Sequence, residues 1–398
     1  MNRLLRDGSF MFATLKNSAL VKTYVLYLAL MVASSMQSAV FILYILELGG
    51  GVFEVNLIST ISGIMGILFI VPFGILSDRF GRRPMLLFSQ AIQAAGAIIY
   101  TVATHFNHLL IAAFVSGFTG LETFPLFISI VVDIAKPEER QEAINTIYIF
   151  SSIGMILGPS ISSFLLTFPQ ITLRNIFQII VATQIGIVIC IATQIKETKR
   201  RIVESSTIKR RSYLGDLIRQ KNFQVILAMT FLWFFSRSIV LTYIPILSQK
   251  VLNLSNVEIA SYTTYQNIAI MLIRLLQITF LKKVPTKPFL ISAVVVSGIT
   301  DLASPFANSY LSASLVFFFS GVSHGAVMSL GSLLIAMNST PQNRGTANSI
   351  FMGFLGMGMI MKILTSPIVD ILGFSPVFIL GGIIGLIAAV PLLMYKGW

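Results

Sequence analysis

The sequence predicts an all-α integral membrane protein with twelve transmembrane helices, and three observations support this fold class. Of the 398 residues, 55% are hydrophobic and only 11% are charged, whereas a soluble domain carries about 25% charged residues. Apolar runs of about 20 residues, long enough to cross a bilayer as a helix, recur along the whole chain. An internal repeat divides these runs into two groups of six.

Each predicted span is an apolar run bounded by charged or turn-forming residues. The first run begins near Tyr24 and is too long for the core of a cleavable signal, so we expect it to remain as a span. The twelve spans are placed at 23–46, 56–77, 85–104, 109–132, 144–166, 175–195, 224–247, 259–281, 288–308, 311–337, 346–369 and 373–395.

The positions of the basic residues predict the orientation. If the N-terminus is cytoplasmic, 23 of the 28 lysines and arginines lie on the cytoplasmic side, two lie on the outer side, and three lie within spans. Positive charge concentrates in cytoplasmic loops, so both termini are predicted to be cytoplasmic, in the cell (plasma) membrane. The net charge of +13 is therefore a topology signal, and no nucleic-acid partner is expected.

The longest polar segment divides the chain into halves of similar length. We predict an N-terminal six-helix bundle over residues 1–195, a basic cytoplasmic linker over 196–222, and a C-terminal six-helix bundle over 223–398. The linker is interpreted as a solvated segment beside anionic lipid headgroups.

The two halves share a motif at the same loop position, which indicates a duplication. It reads Pro137-x-x-Arg140-x-x-Ala143 in the first half and Pro341-x-x-Arg344-x-x-Ala347 in the second. The same offset aligns Asp78 and Arg79 with Lys282 and Lys283. The bundles are therefore expected to be pseudo-symmetric.

The turn between the second and third spans is the most specific motif of the chain. It contains Gly74, Asp78, Arg79, Gly81, Arg82 and Arg83. It resembles the signature loop of the major facilitator superfamily of secondary transporters, Gly-x-Leu-x-Asp-Arg-x-Gly-Arg-Arg, at every position. The resemblance covers essentially the whole chain and implies the two-bundle fold of that family, with transport by alternating access.

The resemblance also implies that the signature turn is a conformational latch. Asp78 is expected against the N-terminal end of the eleventh span, and Arg82 is expected to pair with Asp133. Both contacts would stabilise the outward-open state. Gly74 would permit close helix approach and Gly81 a tight turn. The alternative is that the arginines are simply solvated at a cytoplasmic helix end.

The fifth span contains Gly154-x-x-x-Gly158-Pro159. It is similar to the antiporter motif of the same family, but Ser162 and Ser163 replace the last two glycines of that motif. The alternative interpretation is a packing face of small residues with a proline kink.

Ionisable residues inside spans are the candidate functional groups, because each costs about 2.5–3.5 kcal/mol at a helix centre. Glu122 and His324 are the candidates for proton coupling. Glu122 is either a proton carrier or the salt-bridge partner of Arg237 or Lys362. Asp301, near the outer end of the ninth span, is interpreted as interfacial.

The substrate-binding candidates combine three basic groups with neutral and aromatic ones. The bases favour an anionic or zwitterionic solute, whereas the aromatic residues favour an amphiphile, with ordinary packing as the alternative for most of the latter. The candidates are Arg237, Lys362, Arg274, Gln37, Trp233, Tyr243 and Tyr265.

The predicted function is secondary active transport of a small organic solute, coupled to protons, by a monomer in contact with membrane lipids. Export of drug-like or amphiphilic compounds is the first hypothesis. Organic-anion uptake or exchange is the alternative, and translocation of a lipid or lysolipid is a further one. No enzyme activity is predicted, because no nucleophile has a credible base. The single Cys190 and the absence of ligand clusters predict neither a cofactor nor a metal site.

Overall fold

The computed structural model describes residues 14–119, 123–197, 217–279, 285–339 and 344–395, and these ranges consist of α-helices joined by short turns. The helices are α1 (Ser18–Glu47), α2 (Val52–Phe80), α3 (Arg82–Val102), α4 (Phe106–Gly117), α5 (Thr123–Ile134), α6 (Arg140–Leu165), α7 (Leu173–Gln194), α8 (Lys221–Lys250), α9 (Asn256–Thr279), α10 (Thr286–Ala303), α11 (Tyr310–Met337), α12 (Arg344–Met361), α13 (Ser366–Leu372), α14 (Phe374–Ile387) and α15 (Val390–Leu393). There are also three 3-10 turns in the described ranges: Pro137–Glu139 precedes α6, Ser304–Phe306 follows α10, and Lys362–Thr365 joins α12 to α13.

The predicted membrane fold is confirmed. Within the described ranges, ten segments are helical, long and apolar enough to cross a membrane. The predicted fourth span corresponds to the shorter apolar helices α4 and α5. The predicted eighth span corresponds to α9, which has 24 residues but is too polar to be among these ten segments.

The longest helices extend beyond the spans predicted from hydropathy. At 1.5 Å per residue, the 30 residues of α8 measure about 45 Å, whereas the hydrocarbon core is about 30 Å thick. Hydropathy falls where a helix enters the headgroup region, but its backbone hydrogen bonds continue. Span limits and helix limits therefore differ for a physical reason.

Packing divides the chain into two compact units. One comprises residues 1–44 and 65–203, and the other comprises residues 45–64 and 204–398. The first half of α2 thus belongs to the second unit. The predicted linker lies largely at 198–216, outside the described residues, and the proposed bundle boundaries stay a prediction.

The first unit is held together by aromatic packing and by close approach of helix backbones. Tyr27 of α1 and Phe127 of α5 are buried, with ring centroids 4.8 Å apart. In α6, a Cβ at Gly158 would collide with Ser35 Oγ and the carbonyl oxygen of Val32 in α1. Only glycine permits this approach, so α6 packs directly against the backbone of α1.

The core of the second unit surrounds α8, which packs against α11, α12 and α14. Trp233 and Phe223 of α8 and Phe351 of α12 are completely buried in it. The helical path from α12 is interrupted before Pro367. A proline lacks an N–H donor and clashes with the carbonyl group four residues earlier, here Ile363, which lies in the 3-10 turn Lys362–Thr365. This interruption determines where the polar groups around Lys362 lie.

Candidate functional site

The signature turn is a sharp corner between α2 and α3. Gly81 is the single residue between the two helices, and its φ of +107° is a conformation that favours glycine. Arg82 begins α3, and its Nη1 atom lies 3.0 Å from Oδ2 of Asp133 near the end of α5. The side chains are only 21% and 16% exposed. This is the ion pair predicted from the sequence, whereas its role as a latch stays a prediction.

A second carboxylate, which sequence reasoning did not identify, anchors the same turn. The backbone N–H groups of Arg82 and Arg83 donate to Oε1 and Oε2 of Glu197 at 3.1 and 3.2 Å. Arg83 Nη2 also donates to the carbonyl oxygen of Ala192 at 2.5 Å. A Cβ at Gly81 would lie 2.5 Å from Glu197 Oε2. The end of the α7 segment is thereby bonded to the start of α3.

The remaining signature residues are Gly74, Asp78 and Arg79. Arg79 is exposed, with its guanidinium 5.6 Å from the ring centroid of Phe80. Gly74 and Asp78 lie in α2, but the side chain of Asp78 is outside the described part of the chain. Its expected contact with the eleventh span stays a prediction.

Glu122, the first candidate for proton coupling, also lies outside the described residues, between α4 and α5. Its proposed pairing with Arg237 or Lys362 therefore stays untested. The antiporter-like residues Gly154, Gly158 and Pro159 are all buried in α6. Ser35 Oγ donates to the carbonyl oxygen of Gly154 at 3.0 Å, so this segment is a packing face, and a role in antiport stays a prediction.

The second unit brings together three of the predicted basic residues, which we call the basic cluster: Arg237 of α8, Arg274 of α9 and His324 of α11. Both arginines are near enough to His324 to act on it electrostatically. Arg237 is 4% exposed, and its Nε atom is buried without a hydrogen-bond partner. Nδ1 of His324 is likewise buried without a partner. The cluster thus retains two buried polar atoms that make no hydrogen bond in the described part of the chain.

Two aromatic residues of α8 support the basic cluster. The ring of Trp233 stacks on His324 with centroids 5.8 Å apart, and its Nε1 donates to Ser323 Oγ at 3.2 Å. Phe234 lies 5.9 Å from the guanidinium carbon of Arg237. Trp233 is completely buried, so it positions His324 rather than forming an accessible wall.

Asp301 differs from the sequence interpretation, which placed it at the membrane interface. It is 1% exposed and accepts a hydrogen bond from Ser236 Oγ of α8, in the middle of that helix. Arg237, which follows Ser236 in α8, interacts electrostatically with the Asp301 carboxylate. Hydropathy could not reveal that Asp301 is buried. It places a residue near the end of an apolar run, but it does not show whether neighbouring helices cover that end.

Lys362 lies at the interruption between α12 and α13. It is 4% exposed, and its Nζ donates to Thr242 Oγ1 at 2.7 Å. The neighbouring Tyr243 hydroxyl is 2.6 Å from Thr365 Oγ1 and accepts from Asn56 Nδ2 at 2.8 Å. The salt bridges found among the described residues do not include Lys362.

The two other neutral candidates are Gln37 and Tyr265. Gln37 is half-buried in α1. Tyr265 of α9 shares a hydrogen bond of 2.9 Å with the hydroxyl of Tyr310 at the start of α11. Among the residues described, no group of histidine, cysteine and acidic side chains could hold a metal ion.

The apolar helices define a multi-pass membrane protein. The model of the Major Facilitator Superfamily matches residues 23–284 and 278–397. The chain therefore belongs to this superfamily.

Individual relatives match only part of the chain. Multidrug resistance protein MdtH of Salmonella typhimurium is 30% identical over 95 residues, 24% of each chain. An uncharacterised MFS-type transporter of Bacillus subtilis, YfkF, is 35% identical over 122 residues, 30% of each chain. The matched stretches cover between 16% and 38% of the curated relatives compared.

Solved structures match over nearly the whole length and show the fold alone. The nucleoside transporter NupG has a TM-score of 0.78 at 14% identity, covering 96% of this chain and all of that one. The human organic anion transporter MFSD10 has a TM-score of 0.69 at 15% identity, covering 94% and 98%.

Proposed function

We propose that the chain moves amphiphilic organic anions across the cell membrane by alternating access, with the basic cluster as part of its binding surface. The convergence of Arg237, Arg274 and His324 from three helices carries this proposal. A carboxylate or sulfonate on the substrate would pair with these groups.

The charge balance of the second unit supports an anionic substrate. Inside its described helices, the buried charged side chains are two cations, Arg237 and Lys362, and one carboxylate, Asp301. Each such cation costs about 2.5–3.5 kcal/mol at a helix centre, and intramembrane charges are retained where they pair or serve a function. A bound anion would supply the missing negative charge through charge-assisted hydrogen bonds.

The aromatic residues beside the bases support a substrate with an apolar part. Phe234, which is half-buried, lies beside the guanidinium of Arg237, and the buried Trp233 holds the imidazole of His324 next to it. Binding sites for small molecules combine such apolar surface with a few convergent polar groups.

The cellular setting is part of the same proposal. The excess of lysine and arginine on one side supports a plasma-membrane protein with cytoplasmic termini. Both predicted bundles belong to a single chain, so we propose that the monomer is sufficient. We further propose that a proton gradient supplies the energy.

A matched pair of solutes tests the charge requirement. The purified chain in liposomes is given an amphiphilic carboxylate and, separately, its methyl ester. We expect saturable transport of the carboxylate and no protein-dependent transport of the ester, because only the carboxylate can pair with the cluster.

Variants of the cluster test the assignment of the site. Arg237→Gln and Arg274→Gln are expected to lower carboxylate transport at least tenfold, because each removes a charge-assisted hydrogen bond worth about 1.5–3 kcal/mol. Arg237→Lys, which retains the charge, should keep part of the activity. Lys250→Gln, at the exposed end of the same helix, is the matched control and should transport normally. Normal transport by Arg237→Gln, with unaltered thermal stability, would reject the proposal.

Export of drug-like compounds is the second candidate function. It is supported by the names of the MdtH relatives and by the partial antiporter motif in α6. In this case the two glutamine variants would transport lipophilic cations as well as the parent chain does, or better. Adding lysolipid headgroup analogues to the panel would test lipid translocation in the same assay.

A further inference from the structure

We propose that Asp301 is the proton-binding residue of the transport cycle and that it couples one proton to each anion in the same direction. This inference rests on the proposed function for the identity of the substrate. It replaces Glu122 as the coupling residue and predicts symport instead of antiport.

The first argument is the environment of the Asp301 carboxyl group. It is 1% exposed and lies against the middle of α8, where Ser236 Oγ donates to it. The seam between α10 and α14 beside it is closed, because a Cβ at Gly385 would lie 2.5 Å from Ser236 Oγ and 2.9 Å from Gly298 Cα. A carboxylate in this position depends on Ser236 and Arg237 for stabilisation.

The second argument is the set of charged groups around it. Helices α8, α11 and α14 pack against α10. Helix α14 has no ionisable side chain, and α11 has Tyr310, which is bonded to Tyr265, and His324, which stacks on Trp233. On α8, Arg237 is the charge that acts on Asp301. Among the described side chains of these helices, Arg237 is therefore the opposite charge that acts on the Asp301 carboxylate.

The third argument is that Arg237 interacts both with Asp301 and with the basic cluster. It interacts electrostatically with Asp301 and with His324 of the basic cluster. An anion that pairs with Arg237 competes with Asp301 for the same positive charge. When Arg237 pairs with the anion, the Asp301 carboxylate loses its positive partner and binds a proton. When the anion leaves, Arg237 again interacts with Asp301, and Asp301 releases the proton. Proton and anion are thus bound together and released together, and their charges cancel for a monoanion.

The test separates driven transport from exchange. Liposomes containing the full chain are loaded with the carboxylate used above, and two quantities are measured: accumulation driven by an acidic exterior, and exchange of labelled for unlabelled solute at equal pH. We expect Asp301→Asn to lower accumulation at least tenfold while exchange stays within about threefold of the parent chain. Asp370→Asn, the same change at an exposed acid of the second unit, should affect neither.

Three outcomes would overturn the inference. Accumulation that persists in Asp301→Asn would place coupling elsewhere. Equal loss of accumulation and exchange in a stably folded variant would make Asp301 only a structural partner of Arg237. Accumulation driven by an alkaline exterior would indicate antiport.

A measurement on the unaltered chain keeps the inference testable if Asp301→Asn does not fold. Dicyclohexylcarbodiimide modifies protonated carboxyl groups in apolar surroundings, and mass spectrometry identifies the modified residue. We expect modification of Asp301 that increases as the pH falls, with Asp370 unmodified. Modification of Glu122 and not of Asp301 would reject the inference. This result can be read even if the chain transports no anion, so it is independent of the proposed substrate.

Discussion

At the N-terminus of α3, as in any helix, the first N–H groups have no acceptor within the helix. Glu197 satisfies two of them, those of Arg82 and Arg83, from a position 115 residues beyond Arg82 in the chain. A carboxylate is also favoured there by the positive end of the helix dipole. The signature turn therefore has two acidic anchors, Asp133 on a side chain and Glu197 on the backbone.

Removing the backbone anchor should destabilise the first unit measurably. For Glu197→Ala we expect a loss of about 1 kcal/mol, within the range of helix N-cap substitutions. The loss should decrease in high salt because the carboxylate is exposed. Thermal unfolding in detergent, at low and high salt, measures both effects. Glu138→Ala, at an exposed acid in the same unit, is the control, and an equal effect there would show that Glu197 has no special role.

At the scale of elements, contacts between helix backbones determine the packing of both units. Gly158 of α6 meets α1, and Gly321 and Gly325 of α11 meet α9. In each case a Cβ would collide with a backbone carbonyl oxygen or with a side chain of the neighbouring helix. Glycine is required at these positions because the neighbouring helix leaves no room for a side chain. It is not required by an unusual φ, since the three residues lie within regular helices.

Gly158→Ala should therefore separate α1 from α6 and destabilise the first unit by about 1–3 kcal/mol, as overpacking does. Gly186→Ala in α7 is the matched control, because nothing lies within 4 Å of its Cβ position. That substitution should stabilise the chain by about 0.4–1 kcal/mol. Thermal unfolding of the two variants should show shifts of opposite sign, and shifts of the same sign would contradict the packing argument.

For the whole molecule, the sequence was sufficient to predict the class of fold and the ion pair between Arg82 and Asp133. Hydropathy and a family motif carry this information. Glu197 and Asp301 could not be found in this way. No spacing rule relates residue 197 to the turn at Gly81, and the depth of Asp301 depends on the helices that cover the end of α10.

The orientation of the molecule can be tested with single cysteines in a Cys190→Ala background. Gln170→Cys, between α6 and α7, should react with a membrane-impermeant maleimide added outside intact cells. Glu138→Cys, between α5 and α6, should react only after the membrane is permeabilised. Both positions are exposed, so the reverse pattern would invert the proposed topology.

The polarity of α9 has a consequence for the biosynthesis of the protein. Helix α9 contains Gln266, Asn267, Arg274 and Gln277, and Gln277 accepts a hydrogen bond of 2.6 Å from Ser329 of α11. When α9 leaves the ribosome, α11 has not yet been synthesised, and α9 alone is a weak substrate for the translocon. We therefore expect α9 to enter the bilayer late, together with α10 and α11. A nascent chain that stops before Tyr310 would leave this helix at the membrane surface, exposed to quality-control proteases.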